Sequence, residues 1–174
     1  MAETLFDAGA IAGALDAMAE TMARDARASE PLHIIGIRRG GSAVADELME
    51  RLATRGLATA RGDLDISFYR DDLDTIGPNP EVRPSHLPFD VGGRDIWLVD
   101  DVLYTGRTVR AALGEIFDYG RPARVRLAVL LDRGGRELPI AADIAGLRHE
   151  ARPDESLKLV RDGAWRIELR RVRR

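Results

Sequence analysis

The stretch IWLVDDVLYTGRT, residues 96–108, runs four apolar residues into two adjacent carboxylates and then into a turn that carries hydroxyls and a glycine. Successive side chains of a strand point to opposite faces, so Asp100 and Asp101 serve one ligand only if the extended chain stops there and turns. Gly106 and the helical spacing after it supply that stop. Unpaired amides of residues 104–108 then crowd at a helix N-terminus, where the macrodipole favours a phosphate, and the hydroxyls of Thr105 and Thr108 add donors. Two carboxylates just upstream do not suit a second phosphate; they suit a diol or a magnesium ion. A sugar phosphate fits both halves, and carboxylates under a pentose also offset positive charge that builds at an anomeric carbon. Alone, an Asp-Asp turn is also a plain helix cap with solvated aspartates. The apolar strand, acidic pair, hydroxyl turn and helix together are far more specific.

Outward from this stretch, strand and helix patterns alternate. Residues 8–27 place Ile11, Leu15, Met18 and Met22 on one helical stripe. LHIIGI (32–37) reads as a buried strand, RRGGS as a glycine turn and AVADELMERLATR as a helix. DLDISFYR (63–70) alternates like a strand, and residues 71–90 hold four of the eight prolines. A structureless stretch of that length predicts a lid or binding loop. RDIWLVDD is a strand, GRTVRAALGEIFDYG a helix closed by Gly120 with Pro122 beyond, and ARVRLAVLLD a strand ending in DRGG. This order predicts an α/β fold, a mostly parallel sheet with helices on both faces and ligands at the carboxyl ends of its strands. PIAADIAGL, SLKLV and AWRIELRRV read as short strands or turns that complete the sheet edge. No repeat or second domain interrupts residues 1–174, so one domain is expected.

Composition excludes several chemistries. The 174 residues contain no cysteine, which removes disulfides, thiol nucleophiles and thiolate metal sites. Lys158 is the sole lysine and lies in no glycine-rich context, against a phosphate-loop or Schiff-base lysine. A net charge of -3 gives no global pull toward nucleic acid, although RIELRRVRR at the end is basic. His33, His86 and His149 lack ligand spacing, Trp97 belongs to a core strand, and Trp165 suits packing or an interface. No run is long enough to span a membrane and the N-terminus has no basic segment, so a cytoplasmic protein is expected.

LVDDVLYTGRT resembles the phosphoribosyl pyrophosphate (PRPP) signature of type I phosphoribosyltransferases, here residues 97–109, and its wording resembles the pyrimidine operon regulator/uracil phosphoribosyltransferase (PyrR) family. IIGIRRGG, DISFYRDDL and DYGRPARVRLAVLLDRGGRELPIAAD resemble family segments in the same order, so the likeness covers most of residues 32–143. It implies the type I fold with a proline-rich flexible lid and a small hood. The activity it implies joins uracil to PRPP, giving UMP and pyrophosphate. Asp100 and Asp101 would hold the ribose hydroxyls, with Mg2+ carried mainly by PRPP and water. Val102, Leu103, Tyr104, Thr105, Gly106, Arg107 and Thr108 would bind the ribose and its phosphate, and Arg38, Arg39, Gly40 and Gly41 the pyrophosphate. The family commonly has a threonine near Arg39, which leaves open which arginine meets the leaving group. Tyr69, Arg70, Asp71 and Arg83 would belong to the lid, with Arg70 assisting catalysis, and Asp132, Arg133 and Gly134 would face the base.

Each of these has a plainer alternative. Arg38 and Arg39 also read as solvated strand-end cations, Arg70 as a partner of Asp71 or Asp72, and DRGG as a turn. The resemblance further implies a homodimer or higher homo-oligomer and UMP-dependent attenuation through leader RNA of pyrimidine genes. A non-catalytic nucleotide sensor that binds RNA, or a transferase for another base, is the alternative.

Overall fold

The computed structural model describes residues 2–27, 30–66 and 85–171. The elements run β1 (Ala2–Phe6), α1 (Ala8–Arg24), β2 (Leu32–Ile37), α2 (Gly40–Ala53), β3 (Thr59–Leu64), β4 (Asp95–Leu103), α3 (Arg107–Tyr119), β5 (Arg124–Asp132), β6 (Ile144–Arg148), β7 (Glu155–Val160) and β8 (Arg166–Arg171). Five strands form one sheet in the order β3-β2-β4-β5-β6. Every pairing in it is parallel. β2 is buried along its whole length, as an apolar run covered on both faces must be.

Alternation along the central strands sorts the core into two layers. Ile34, Trp97, Val99, Ala128 and Leu130 point to one face, where α1 adds Leu15, Met18 and Met22 and α2 adds Val44 and Leu48. Ile35, Ile37, Ile96, Leu98, Leu127 and Val129 point to the other, where α3 supplies Val109, Ala112 and Ile116. The expected parallel sheet with helices on both faces is present.

Four local expectations change. The first helix ends at Arg24 rather than residue 27: the N–H of Asp25 turns back to the Met22 carbonyl at 3.2 Å, and its carboxylate leaves the helix to pair with Arg126 of β5. The strand expected to begin at residue 63 begins at Thr59 as β3, because its parallel ladder with β2 runs from Leu32↔Thr59 to Ile37↔Leu64; residues 67–70 of that expectation lie outside the described residues. The central strand does not stop at the acidic pair; β4 continues to Leu103, held by Val102↔Leu131 and Leu103↔Asp132. Of the last three apolar stretches only β6 extends the main sheet. β7 and β8 pair antiparallel, and β8 takes β1 as its other neighbour, making a separate three-stranded sheet from the two ends of the chain.

Candidate ligand site at the switch of strand order

After β2 the chain moves outward to β3, whereas β4 and β5 are added on the opposite side, so strand order reverses between β2 and β4. Loops leaving the carboxyl ends of two such strands diverge and open a crevice. Residues 38–41 leave β2 and residues 104–107 leave β4. Each leads directly into a helix whose N-cap residue makes no side-chain capping bond, Arg39 before α2 and Gly106 before α3. Two helix N-termini, with their positive dipole ends, therefore flank one crevice.

The turn after β2 contains a cis Arg38–Arg39 peptide and presses against the acidic pair. A Cβ added at Gly41 would lie 2.5 Å from the Val99 carbonyl oxygen and 2.9 Å from the Asp100 Cα. One at Gly40 would overlap the Asp101 carboxylate. Only glycine permits that approach of backbone to backbone. The expectation that the pair stands at a strand end is thus replaced by a different arrangement, in which the α2 turn comes to meet carboxylates still inside the strand. Asp100 is 6% exposed and lines a recess with Val102, Leu103, Tyr104, Thr105, Gly106, Thr108 and Val109. Asp101 sits on the Gly40 side instead. Each carboxylate accepts the next residue's amide, Asp100 from Asp101 at 2.9 Å and Asp101 from Val102 at 3.0 Å.

Gly106 adopts φ 95°, which turns the chain from β4 into α3. Thr105 is buried; its Oγ1 accepts the Arg107 amide at 3.2 Å, and its carbonyl accepts the amides of Glu137 and Leu138 at 3.0 and 3.1 Å. The Arg107 guanidinium donates to Glu137 Oε2 through Nε at 3.0 Å and Nη2 at 2.8 Å.

The loop after β5 is tied internally. The Asp132 carboxylate accepts Arg136, the Gly134 amide at 3.1 Å and Arg148 at 3.4 Å. Burial works to raise its pKa, but the hydrogen bonds from Arg136 and Gly134 and the Arg136 and Arg148 charges outweigh burial and hold it below the usual carboxylate range. The Arg133 guanidinium lies 3.9 Å over the Tyr104 ring and donates to the Glu155 carbonyl at 2.9 Å, joining the turn after β4 to β7. Its burial lowers its pKa. Arg136 was not singled out in the sequence, yet it spans the site: it donates to the carbonyls of Tyr104 at 2.5 Å, Gly134 at 3.2 Å and Ile140 at 3.0 Å. Its place in DRGGRELP, three residues past Arg133, was the available signal.

Tyr69, Arg70, Asp71 and Arg83, and the lid as far as residue 84, lie outside the described residues. At its base, Asp63 and His86 exchange two backbone hydrogen bonds of 2.8 Å, and Ser85 Oγ accepts the Asp65 amide at 2.9 Å while donating to Glu115 of α3. Among the described residues no three His, Asp or Glu side chains converge as a metal set, and no helix is long and apolar enough to cross a membrane.

The profile of the phosphoribosyl transferase domain matches residues 1–154, a span that includes the parallel sheet, both helix N-termini and the acidic pair at the switch point. Proteins named bifunctional protein PyrR are similar along most of the chain. The one from Nitrosococcus oceani is 56% identical over 126 residues, 72% of this chain and 71% of the relative. That from Akkermansia muciniphila is 47% identical over 145 residues, 83% and 81%. The chain belongs to the PyrR family of type I phosphoribosyltransferases. Its fold matches the hypoxanthine phosphoribosyltransferase of Trypanosoma cruzi with a TM-score of 0.73 at 20% identity, over 98% of this chain and 97% of the other. A hypoxanthine-guanine phosphoribosyltransferase of Bacillus anthracis gives a TM-score of 0.68 at 17% identity, covering 89% and 85%.

Proposed function

We propose that the chain transfers the phosphoribosyl group of PRPP to uracil, releasing UMP and pyrophosphate. The bond from the ribose C1 to the pyrophosphate oxygen breaks, a bond from C1 to N1 of uracil forms, and the N1 proton is lost. The observation that carries the reading is the pair of helix N-termini either side of Asp100 and Asp101. PRPP has an anion at each end of a diol-bearing ring, and this crevice offers an anion site, acids, and an anion site in that order. In the reading, the 104–108 amides and hydroxyls hold the 5-phosphate. The Arg107 guanidinium is held by Glu137 and its amide by Thr105, so in this reading Arg107 shapes the turn rather than holding the phosphate with its guanidinium. Arg38, Arg39, Gly40 and Gly41 receive the pyrophosphate, and Asp100 and Asp101 orient the ribose hydroxyls and offset charge developing at C1. The 132–134 loop, stiffened by Arg136, stands against the base. Tyr69, Arg70, Asp71 and Arg83 close over the ligands and exclude water that would hydrolyse the donor.

Mg2+ retains several waters and binds through one or two carboxylates plus substrate phosphates, which suits two aspartates with no third ligand among the described residues. Asp100 and Asp101 would hold it largely through PRPP and water, and it would neutralise charge on the leaving pyrophosphate. The cytoplasm, where PRPP and pyrimidine-gene transcripts meet, is the proposed location.

The relatives' name, bifunctional, favours a second role, which we assign to UMP-dependent binding of leader RNA from pyrimidine genes. Incubation with uracil, PRPP and Mg2+ should yield UMP and pyrophosphate, and Asp100→Asn/Asp101→Asn should abolish them. Turnover with another base alone would reassign the substrate. No turnover with any base would leave the nucleotide sensor. For the RNA role, a UMP-dependent gel shift should persist at moderate salt; a shift seen only at very low salt would be non-specific.

A further inference from the structure

We infer that Asp63, acting through Ser42, is a positioning residue that sets the first turn of α2 at the pyrophosphate end of the crevice. Gly40 and Gly41 have no side chains and the Arg39 N-cap makes no capping bond, so Ser42 is the first residue of α2 able to anchor the turn through a side chain. Its hydroxyl donates to Oδ1 of Asp63 in β3, and the same oxygen accepts Arg61 Nη2 at 2.9 Å. Arg61 also donates to the Ser42 carbonyl at 3.1 Å and to the Asp46 carboxylate at 3.1 Å, so β3 grips α2 at its start and again one turn on. Gly36 of β2, level with Asp63 in the ladder, admits this approach: a Cβ there would stand 2.7 Å from the Ser42 Cα and 3.0 Å from Arg61 Nη2.

Asp63 is a firm anchor. Its backbone pairs with Gly36 on one side and exchanges two hydrogen bonds of 2.8 Å with His86 on the other. Across the turn, Gly40 and Gly41 press against Asp101 and Asp100, so the start of α2 is clamped between β3 and β4. The Ser42 proton is committed to Asp63, and its influence on a bound anion therefore runs through the position of the turn's amides. Charge alone works in the opposite direction, because a carboxylate beside an anion site disfavours the anion. Any gain that Asp63 brings to pyrophosphate is thus one of geometry.

The inference rests on the transferase reading for the assignment of this turn to pyrophosphate, and the test separates the two. Calorimetric titrations of the full chain with pyrophosphate and Mg2+, and with UMP, are run beside the nucleotide-forming assay, with folding checked by thermal melts. The parent should bind both ligands. Ser42→Ala and Asp63→Ala should each weaken pyrophosphate by about tenfold, as loss of a hydrogen bond to a charged group does, and leave UMP, whose phosphate belongs at the α3 turn, within about twofold. The double variant should be no weaker than the single ones, because each removes the same bond. Tighter pyrophosphate binding by Asp63→Ala overturns the inference, since charge would then be all that Asp63 contributes. So do additive losses in the double variant, an equal weakening of UMP, or a parent that does not bind pyrophosphate. A parent that binds pyrophosphate but forms no nucleotide with any base sinks the transferase reading alone, and the variants then still decide the inference.

Discussion

Replacing Gly41 by alanine puts a methyl group where β4 already is. The added Cβ would stand 2.5 Å from the Val99 carbonyl oxygen and 2.9 Å from the Asp100 Cα, about 1 Å inside ordinary contact. These are backbone atoms of a strand paired on both sides, Val99 with Gly36 of β2 and Ala128 of β5, so the strand cannot yield. The N-terminus of α2 must retreat instead, by most of that 1 Å. Overpacking of this kind costs about 1–3 kcal/mol, and for a chain of this size each kcal/mol lowers the melting temperature by about 2–4 °C. The larger effect falls on turnover. Asp100 and the 38–41 turn are held in contact, and about 1 Å of misplacement costs on the order of 100-fold in rate. Thermal unfolding and UMP formation should be measured beside Gly13→Ala, a substitution in the interior of α1 where nothing lies within 4 Å, which should stabilise by roughly 0.5–1 kcal/mol. A Gly41→Ala protein that melts and turns over like its parent would refute the close approach and the coupling of the turn to the acidic pair.

Burial, reinforced by the nearby Arg94 and opposed by Glu30, holds the His33 pKa below its ordinary value, and the ring stacks edge-on against Phe89 at 4.8 Å. Because the unfolded chain then takes up the proton more readily, His33 contributes stability above about pH 6.5 that is lost as pH falls toward the folded value; His33→Gln should flatten urea-unfolding stability between about pH 7.5 and pH 5.5. Arg126 is 8% exposed, lies 4.0 Å over the Trp97 ring and pairs with the exposed Asp25. Arg126→Ala should cost about 2 kcal/mol through the lost stack and packing, whereas Asp25→Ala should cost less than about 1 kcal/mol because a solvated ion pair is worth little; equal costs would show that the ion pair matters more than the stack. Arg136→Leu leaves the Asp132 carboxylate without its main partner and three carbonyls with fewer donors, so about 2–3 kcal/mol should be lost at neutral pH. That loss should shrink below about pH 4 as the carboxyl protonates, and a constant loss across pH would exclude Asp132 as its source.

Those arginines show where reading the chain stops short. Arg136 and Arg126 are ordinary cations in sequence, and each acquires its role from a partner brought by folding: Tyr104 thirty-two residues away, Asp25 a hundred and one away. The Arg133 guanidinium likewise lies on Tyr104 and reaches β7, partners that its place in DRGG did not announce. β3 was placed four residues late because its apolar alternation is weak and its register comes from β2 rather than from its own pattern.

What the chain alone determined is whatever a few neighbouring residues settle among themselves. Apolar runs broken by glycine turns and helical stripes required a parallel sheet with two helical layers, and residues 96–108 required a strand, two acids, a glycine turn and a helix start in that order, because side-chain period and helix-terminus chemistry are local. Only the tertiary structure decided that β1 and β8, from opposite ends of the chain, share a sheet, that strand order reverses between β2 and β4, and that the α2 turn is pressed against Asp100 and Asp101. Those facts rest on long-range hydrogen-bond ladders and backbone packing. Their partners are chosen by the whole fold, and no local stretch carries them.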